Sequence, residues 1–260
     1  MTQEIMIVSR RRDIMELVSR KGFVALTELA ETFQVSESTV RRDLDILESQ
    51  GAIRRTHGGV VSLAEPPASQ MSFSDRESTA VAEKHAIAAA VAALIPDNQT
   101  IIVDGGTTCL HVAERLAGRR LSVVTNSVPI AARLMGEVNT EVTLIGGYVY
   151  PRTGVALGPK AEEMLASLRA AQVVLSCAAV NRDGVFNVNE MMSAVERRMI
   201  AVADQVILAV DHTKLGGRSI ARVCEWAEVD VLVTDAAVDE SARQYLSEAG
   251  VKVIVAEAQA

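Results

Sequence analysis

Five residues within a short stretch, Ser36, Ser38, Thr39, Arg41 and Arg42, could read a nucleic acid. A guanidinium donates two parallel hydrogen bonds to guanine in the major groove, and Ser or Thr hydroxyls reach base edges or phosphate. Just beyond them, Arg54, Arg55 and His57 supply further donors beside a Gly58-Gly59 turn, suited to holding a phosphate backbone. A second set of polar groups recurs through the rest of the chain: Asp104-Gly105-Gly106-Thr107-Thr108, Thr125-Asn126-Ser127, Gly146-Gly147, Asp211 with Lys214, and Thr234-Asp235. Free N–H groups and hydroxyls at a helix start suit an anion such as phosphate, and Lys214 can supply an opposing charge. The carboxylates of Asp104 and Asp211 can accept hydrogen bonds from sugar hydroxyls, and Asn126 and Ser127 can serve either part. Gly-Gly-Thr-Thr alone is neither a P-loop nor a dinucleotide fingerprint, and by itself it would be an ordinary capped turn.

The first set needs a helix to present it. Apolar Ile14, Leu17 and Val18 predict a helix over 11–20, stopped at Lys21-Gly22. A second helix is expected over 27–33, with Leu26, Leu29, Ala30 and Phe33 on one stripe and Thr27 as cap. A third spans 37–50, capped by Ser36, with Val40, Leu44 and Leu47 inward, so that Ser38 and Arg42 point the opposite way. Two adjacent arginines most often just face water. Here a short helix, a three-residue turn and a capped second helix over about 24–43 match helix-turn-helix geometry, and residues 52–63 form an expected two-stranded wing.

Residues 64–74 are rich in Pro and Ser and form an expected linker between a domain over 1–63 and one over 75–260. In the second, apolar runs at 100–103, 121–124, 141–145, 172–176, 206–210, 229–233 and 251–255 alternate with helical patterns. That alternation predicts a parallel sheet covered by helices. Every polar cluster of the second set falls where such a strand ends. In an open parallel sheet those ends share one edge, where ligands bind, so the clusters should converge on one pocket.

Net charge is −7. Residues 1–61 hold nine Lys/Arg against nine Asp/Glu, so the negative charge sits in the remainder and does not exclude DNA for the first domain. Cys109, Cys177 and Cys224 are far apart and odd in number, which supports neither a disulfide framework nor a zinc site. Cys109 is expected in the core, and His111 and His212 at the surface or a pocket rim. Met191, Met192 and Met199 are expected to pack a helix, and Glu196 with Arg197 and Arg198 to form a solvated helix face. No apolar run reaches the ~18 residues of a membrane helix. A cytoplasmic protein without metal or other cofactor is the expectation.

Val35-Ser36-x-x-Thr39-Val40-Arg41-Arg42-Asp43-Leu44, Leu47-Glu48-x-x-Gly51 and Arg55-x-His57-Gly58-Gly59 resemble the DNA-binding domain of the DeoR family of bacterial transcriptional regulators. The resemblance continues through Arg76, Glu83-Lys84-x-x-Ile87-Ala88, Asp104-x-Gly106-Thr107-Thr108, Thr125-Asn126-Ser127, Gly146-Gly147 and Asp211-x-x-Lys214. Gly105 stands where the family usually has Ser, a change expected to loosen that turn. The resemblance implies a winged helix-turn-helix domain joined to a Rossmann-like parallel α/β domain similar to ribose-5-phosphate isomerase. It further implies a sensor of a phosphorylated sugar or related metabolite, and homodimers or higher homo-oligomers on repeated operator half-sites.

Two functions follow. One is a regulator, most simply a repressor of a carbohydrate-metabolism operon, released from double-stranded operator DNA when metabolite binds at the strand ends, with no catalytic residue. The alternative is a sugar-phosphate isomerase with a DNA-binding appendage, with Asp104 or Asp211 as general base and Lys214 stabilising an enediolate.

Overall fold

The computed structural model describes residues 10–15, 17–18, 23–49, 53–56, 58–62 and 73–257. The expected helix stops at Lys21-Gly22 and Gly51, His57, and linker residues 64–72 lie outside them. Two compact units divide the chain, Met1–Met71 and Ser72–Ala260.

In the first unit, residues 10–15 and 17–18 are helical (α1). Then come β1 (Phe23–Ala25), α2 (Leu26–Phe33), α3 (Glu37–Ser49), β2 (Ile53–Arg55) and β3 (Gly59–Ser62). Ile14, Val18, Val24, Leu29, Val40, Leu44, Leu47, Ile53 and Val60 form its core. Two expectations are corrected. The wing has three strands, not two, because β1 pairs antiparallel with β3, Val24 opposite Val60. Ala25 occupies the α2 cap position without a side-chain bond, so Thr27 is not the cap. Gln34 ends α2 in the left-handed region at φ 51°, its N–H reaching back to Ala30 and Glu31 carbonyls, which turns the chain sharply into α3.

The second unit opens with α4 (Phe73–Ser78), so Phe73 and Ser74 are helical rather than linker. It continues through α5 (Val81–Leu94), β4 (Gln99–Val103), α6 (Thr107–Leu116), β5 (Leu121–Thr125), α7 (Val128–Leu134), β6 (Thr140–Leu144), β7 (Tyr148–Tyr150) and β8 (Val155–Leu157). Next are α8 (Pro159–Ala166), β9 (Ala170–Leu175), β10 (Ala179–Asn181), β11 (Gly184–Asn187), α9 (Glu190–Ala201) and β12 (Ala203–Ala209). A 3-10 turn (His212–Lys214), β13 (Ala221–Cys224), β14 (Val231–Asp235), α10 (Glu240–Glu248) and β15 (Lys252–Ala256) complete it. All seven expected strands form one parallel sheet in the order β15-β14-β12-β9-β4-β5-β6.

Alternation along each strand feeds two cores, as period-two geometry requires. Ile101, Val103 and Val174 join Ile87, Val91, Cys109, Val112, Leu116 and Ile130 from α5, α6 and α7. Ile102, Val173 and Leu175 join Leu165, Val195, Met199 and Leu246 from α8, α9 and α10. Strand order reverses between β4 and β9, which are neighbours although far apart in sequence. A doubly wound sheet opens its crevice at that reversal, beyond the carboxyl ends.

Candidate DNA-binding helix and effector site

Ser36 stands before α3, and its Oγ accepts the Thr39 N–H at 3.3 Å and lies 2.8 and 2.9 Å from the Ser38 and Thr39 hydroxyls. Beneath, Val40, Leu44 and Leu47 are buried, while Ser38, Arg41 and Arg42 are exposed. Asp43 shares the buried stripe, clamped by Arg10 Nε at 2.7 Å and Arg11 Nε at 2.8 Å, which ties α1 to α3. Arg41 leans on Glu37 at 3.4 Å, an exposed pair of small energetic weight. Arg54 is exposed, whereas Arg55 pairs with Asp45 and gives its N–H to Glu48 Oε1 at 2.8 Å. Arg55 therefore fastens the wing to α3. Gly58 is exposed, and Gly59 enters β3.

The second set of groups meets at the carboxyl edge in three connected clusters. In the first, Asp104 follows β4 at the reversal, and its carboxylate accepts the N–H groups of Gly105 and of Ser176, which follows β9. It is 5% exposed. Burial lifts its pKa to about 7 against the pull of those two N–H bonds. Glu196 in α9 interacts with Asp104, and burial and that second acid push its pKa well up. Cys109 and Cys177 lie in the same field of charge, and burial raises both thiols.

The second cluster surrounds Asp211. Its Oδ1 accepts the Thr213 N–H at 3.0 Å and the Thr213 hydroxyl, capping the turn that carries Lys214. Lys84, 3% exposed, donates from Nζ to the carbonyls of Arg76 and Thr79. Burial lowers its pKa, opposed by Asp211 and assisted by Lys214 and Arg76; Arg152 in turn acts on Arg76. Cations from α4, α5, the turn after β7 and the turn after β12 thus share one region. Cys177 feels Lys214 and Asp211 as well as Glu196, which joins this cluster to the first.

In the third, β8 crosses the ends of β5 and β6. Ala156 donates its N–H to Asn126 O at 2.7 Å, and Asn126 Nδ2 reaches Ala156 O at 3.4 Å. A Cβ at Gly147 would meet Leu157 O at 2.6 Å, so only glycine allows that approach. A Cβ at Gly105 would lie 2.1 Å from Val155 Cγ1: the turn is filled by Val155 and is not loosened by lacking a side chain. Thr125 Oγ1 accepts the Ser127 N–H at 3.1 Å, and Ser127 Oγ caps α7 at 3.4 Å, so both hydroxyls shape the turn. Thr107 and Thr108 open α6 and are buried, and no side chain caps that end, where Gly106 stands. Gly146 is exposed, with nothing within 4 Å of the place a Cβ would take.

Three further expectations, for His111, Glu196 and Met191, are corrected. His111 is buried, its Nδ1 3.1 Å from Glu114 and its ring 4.4 Å from that of His85; burial lowers its pKa. Glu196 is buried too, because it shares the apolar stripe of Met192, Val195 and Met199. His212 is half-exposed, bonded to Asp235 at 3.0 Å, and Met191 is exposed while Met199 packs. Arg76, Lys84, Arg152, Cys177 and Glu196 were absent from the predicted site. For Lys84 and Glu196 the signal was available: each falls on a buried helical stripe. Among the described residues no group of three His, Cys, Asp or Glu side chains is placed to hold a metal ion, and no helix is long and apolar enough to cross a membrane.

A winged helix-turn-helix unit followed by a parallel sheet with a polar carboxyl edge is the build of a ligand-responsive transcriptional regulator. Residues 10–65 match the DeoR-like helix-turn-helix domain, and residues 79–236 match the DeoR C terminal sensor domain. The chain belongs to the DeoR family. It is 34% identical to the uncharacterized HTH-type transcriptional regulator YulB of Bacillus subtilis, over 96% of each chain. It is equally identical to the HTH-type transcriptional repressor CsqR of Escherichia coli, over 95% of this chain and 94% of that one. The glycerol-3-phosphate regulon repressor of Escherichia coli is also 34% identical, over 92% and 95%. The solved ribose 5 phosphate isomerase A of Neisseria gonorrhoeae covers 52% of this chain and 53% of its own, at 14% identity and a TM-score of 0.36. That level adds nothing to the fold seen directly.

Proposed function

We propose that this chain represses a carbohydrate-metabolism operon and leaves its operator when a phosphorylated sugar or related metabolite binds the carboxyl edge of the sheet. The observation that carries it is the exposed face of α3: Ser38, Arg41 and Arg42 stand over a buried Val40-Leu44-Leu47 stripe. Ser38, Thr39, Arg41 and Arg42 read the major groove; Ser36, Arg54, Arg55, His57, Gly58 and Gly59 hold the backbone beside it. At the edge, Gly105, Gly106, Thr107, Thr108 and Lys214 take the phosphate, with Arg76, Lys84 and Arg152 adding positive field. Asp104 and Asn126 accept hydroxyls; Thr125, Ser127, Gly146, Gly147 and Asp211 shape the walls. The repressor name of a glycerol-3-phosphate regulon protein at 34% identity supports this effector class.

A single small unit without net charge makes few phosphate contacts, so the working form is a homodimer or higher homo-oligomer on repeated half-sites. Effector then acts by binding one subunit arrangement more tightly than another. Fluorescence anisotropy of the protein on its own upstream DNA, across a salt series and with added sugar phosphates, tests this. Tight, salt-sensitive binding reversed by one sugar phosphate is the expected result. Turnover of a sugar phosphate lost in Asp104→Ala or Asp211→Ala would overturn it in favour of an isomerase.

A further inference from the structure

Among the described residues three helices each carry one buried Asp, Glu, Lys or Arg, and two of the three are answered. Asp43 meets Arg10 and Arg11, and Lys84 meets two carbonyls. Glu196, 2% exposed, is not. Its Oε1 accepts Asn187 Nδ2, but its Oε2 is buried without a hydrogen-bond partner. The leading charge it faces is another acid, Asp104, while Arg197 next to it turns to Arg222 O and Glu190. Asn126, 1% exposed at the same edge, also has a buried, unpartnered oxygen, Oδ1.

Leaving buried polar atoms unmet costs stability, and folded proteins keep them where something else supplies the missing partner. At Asn126 and Glu196 the unmet capacity is acceptor oxygen, beside an Asp104 carboxylate that takes the Gly105 and Ser176 N–H groups. It calls for O–H donors. A ligand carboxylate would instead bring a third acid into a dehydrated place where burial already holds the pKa of both Asp104 and Glu196 up, so it could keep its charge only against that same penalty.

We infer that Glu196 is a specificity-determining residue: with Asp104 and Asn126 it accepts hydroxyl hydrogens from the uncharged polyol end of the effector and turns away phosphorylated sugar acids. This rests on the effector reading above. Isothermal titration calorimetry on the full chain tests it with matched pairs, glycerol 3-phosphate against 3-phosphoglycerate and glucitol 6-phosphate against 6-phosphogluconate, and with inorganic phosphate alone. In at least one pair the neutral member should bind about tenfold or more tightly than its acid. Glu196→Gln should narrow that ratio to about threefold by strengthening the acid, a gain that a damaged fold does not produce. Acids binding as tightly as their neutral partners in both pairs, in the unaltered protein, overturn the inference while leaving the effector site intact, and need no variant. A ratio unchanged in folded Glu196→Gln also overturns it. Binding of none of these compounds, phosphate included, removes the effector reading and the inference together.

Discussion

The polar face of α3 and the polar edge of the sheet are built on opposite terms. On α3 the groups suited to a partner already stand in water: Ser38, Arg41 and Arg42 are exposed, and the helix is anchored by other residues altogether. At the edge, Asp104, Thr125, Asn126, Ser127 and Asp211 are buried and bonded into turns. A groove reader needs side chains whose removal leaves the fold alone. A small-molecule sensor needs dehydrated groups, and dehydration couples them to packing, so the edge can register a ligand as a change in the protein itself.

That contrast can be broken in four places. Leu44→Ala, which hollows the core beneath α3, should cost the first unit about 3 kcal/mol in a denaturant titration. Asp104→Asn comes next. Its folded pKa of about 7 lies above the ordinary 3.8, so its stabilising contribution is complete below about pH 4 and lost as pH rises through 7. The variant should therefore gain on the unaltered protein by on the order of 2 kcal/mol between pH 5 and 8, and a difference independent of pH would sink the assignment. Arg42→Ala should weaken operator binding by about tenfold or more with an unmoved melting temperature; a large fall in Tm would make Arg42 structural. Lys214→Ala should disturb least, keeping DNA affinity and Tm while raising the effector concentration needed for release by about tenfold. An unaltered response would take Lys214 out of the site.

Apolar runs made the seven sheet strands legible, because stretches such as Thr100–Val103 and Val206–Ala209 lie inside strands buried on both faces. What escaped was short and paired at a distance. β1 has three residues and finds its partner at Val60, and β7 and β8 are three-residue strands whose hairpin closes over the edge. No period can be read from three residues. Side-chain charge misled in one place: Glu196 was expected in solvent beside Arg197 and Arg198, although the spacing of Met192, Val195 and Met199 places it inward. Convergence of the strand-end clusters followed from topology, whereas the way Val155 fills the space at Gly105 depends on a contact between residues fifty apart.

The reversal of strand order also sets a timetable for biosynthesis. Among the described residues, the strand pairings of the first unit are complete once Ser62 has left the ribosome, since β1 and β2 both pair with β3. Central strand β4 is different: it emerges with β5 soon after, yet its other flank stays open until β9 has been translated. Glu196 arrives later still. The groove-reading unit can therefore fold on a nascent chain, while the chamber at the sheet edge is assembled only when most of the polypeptide exists.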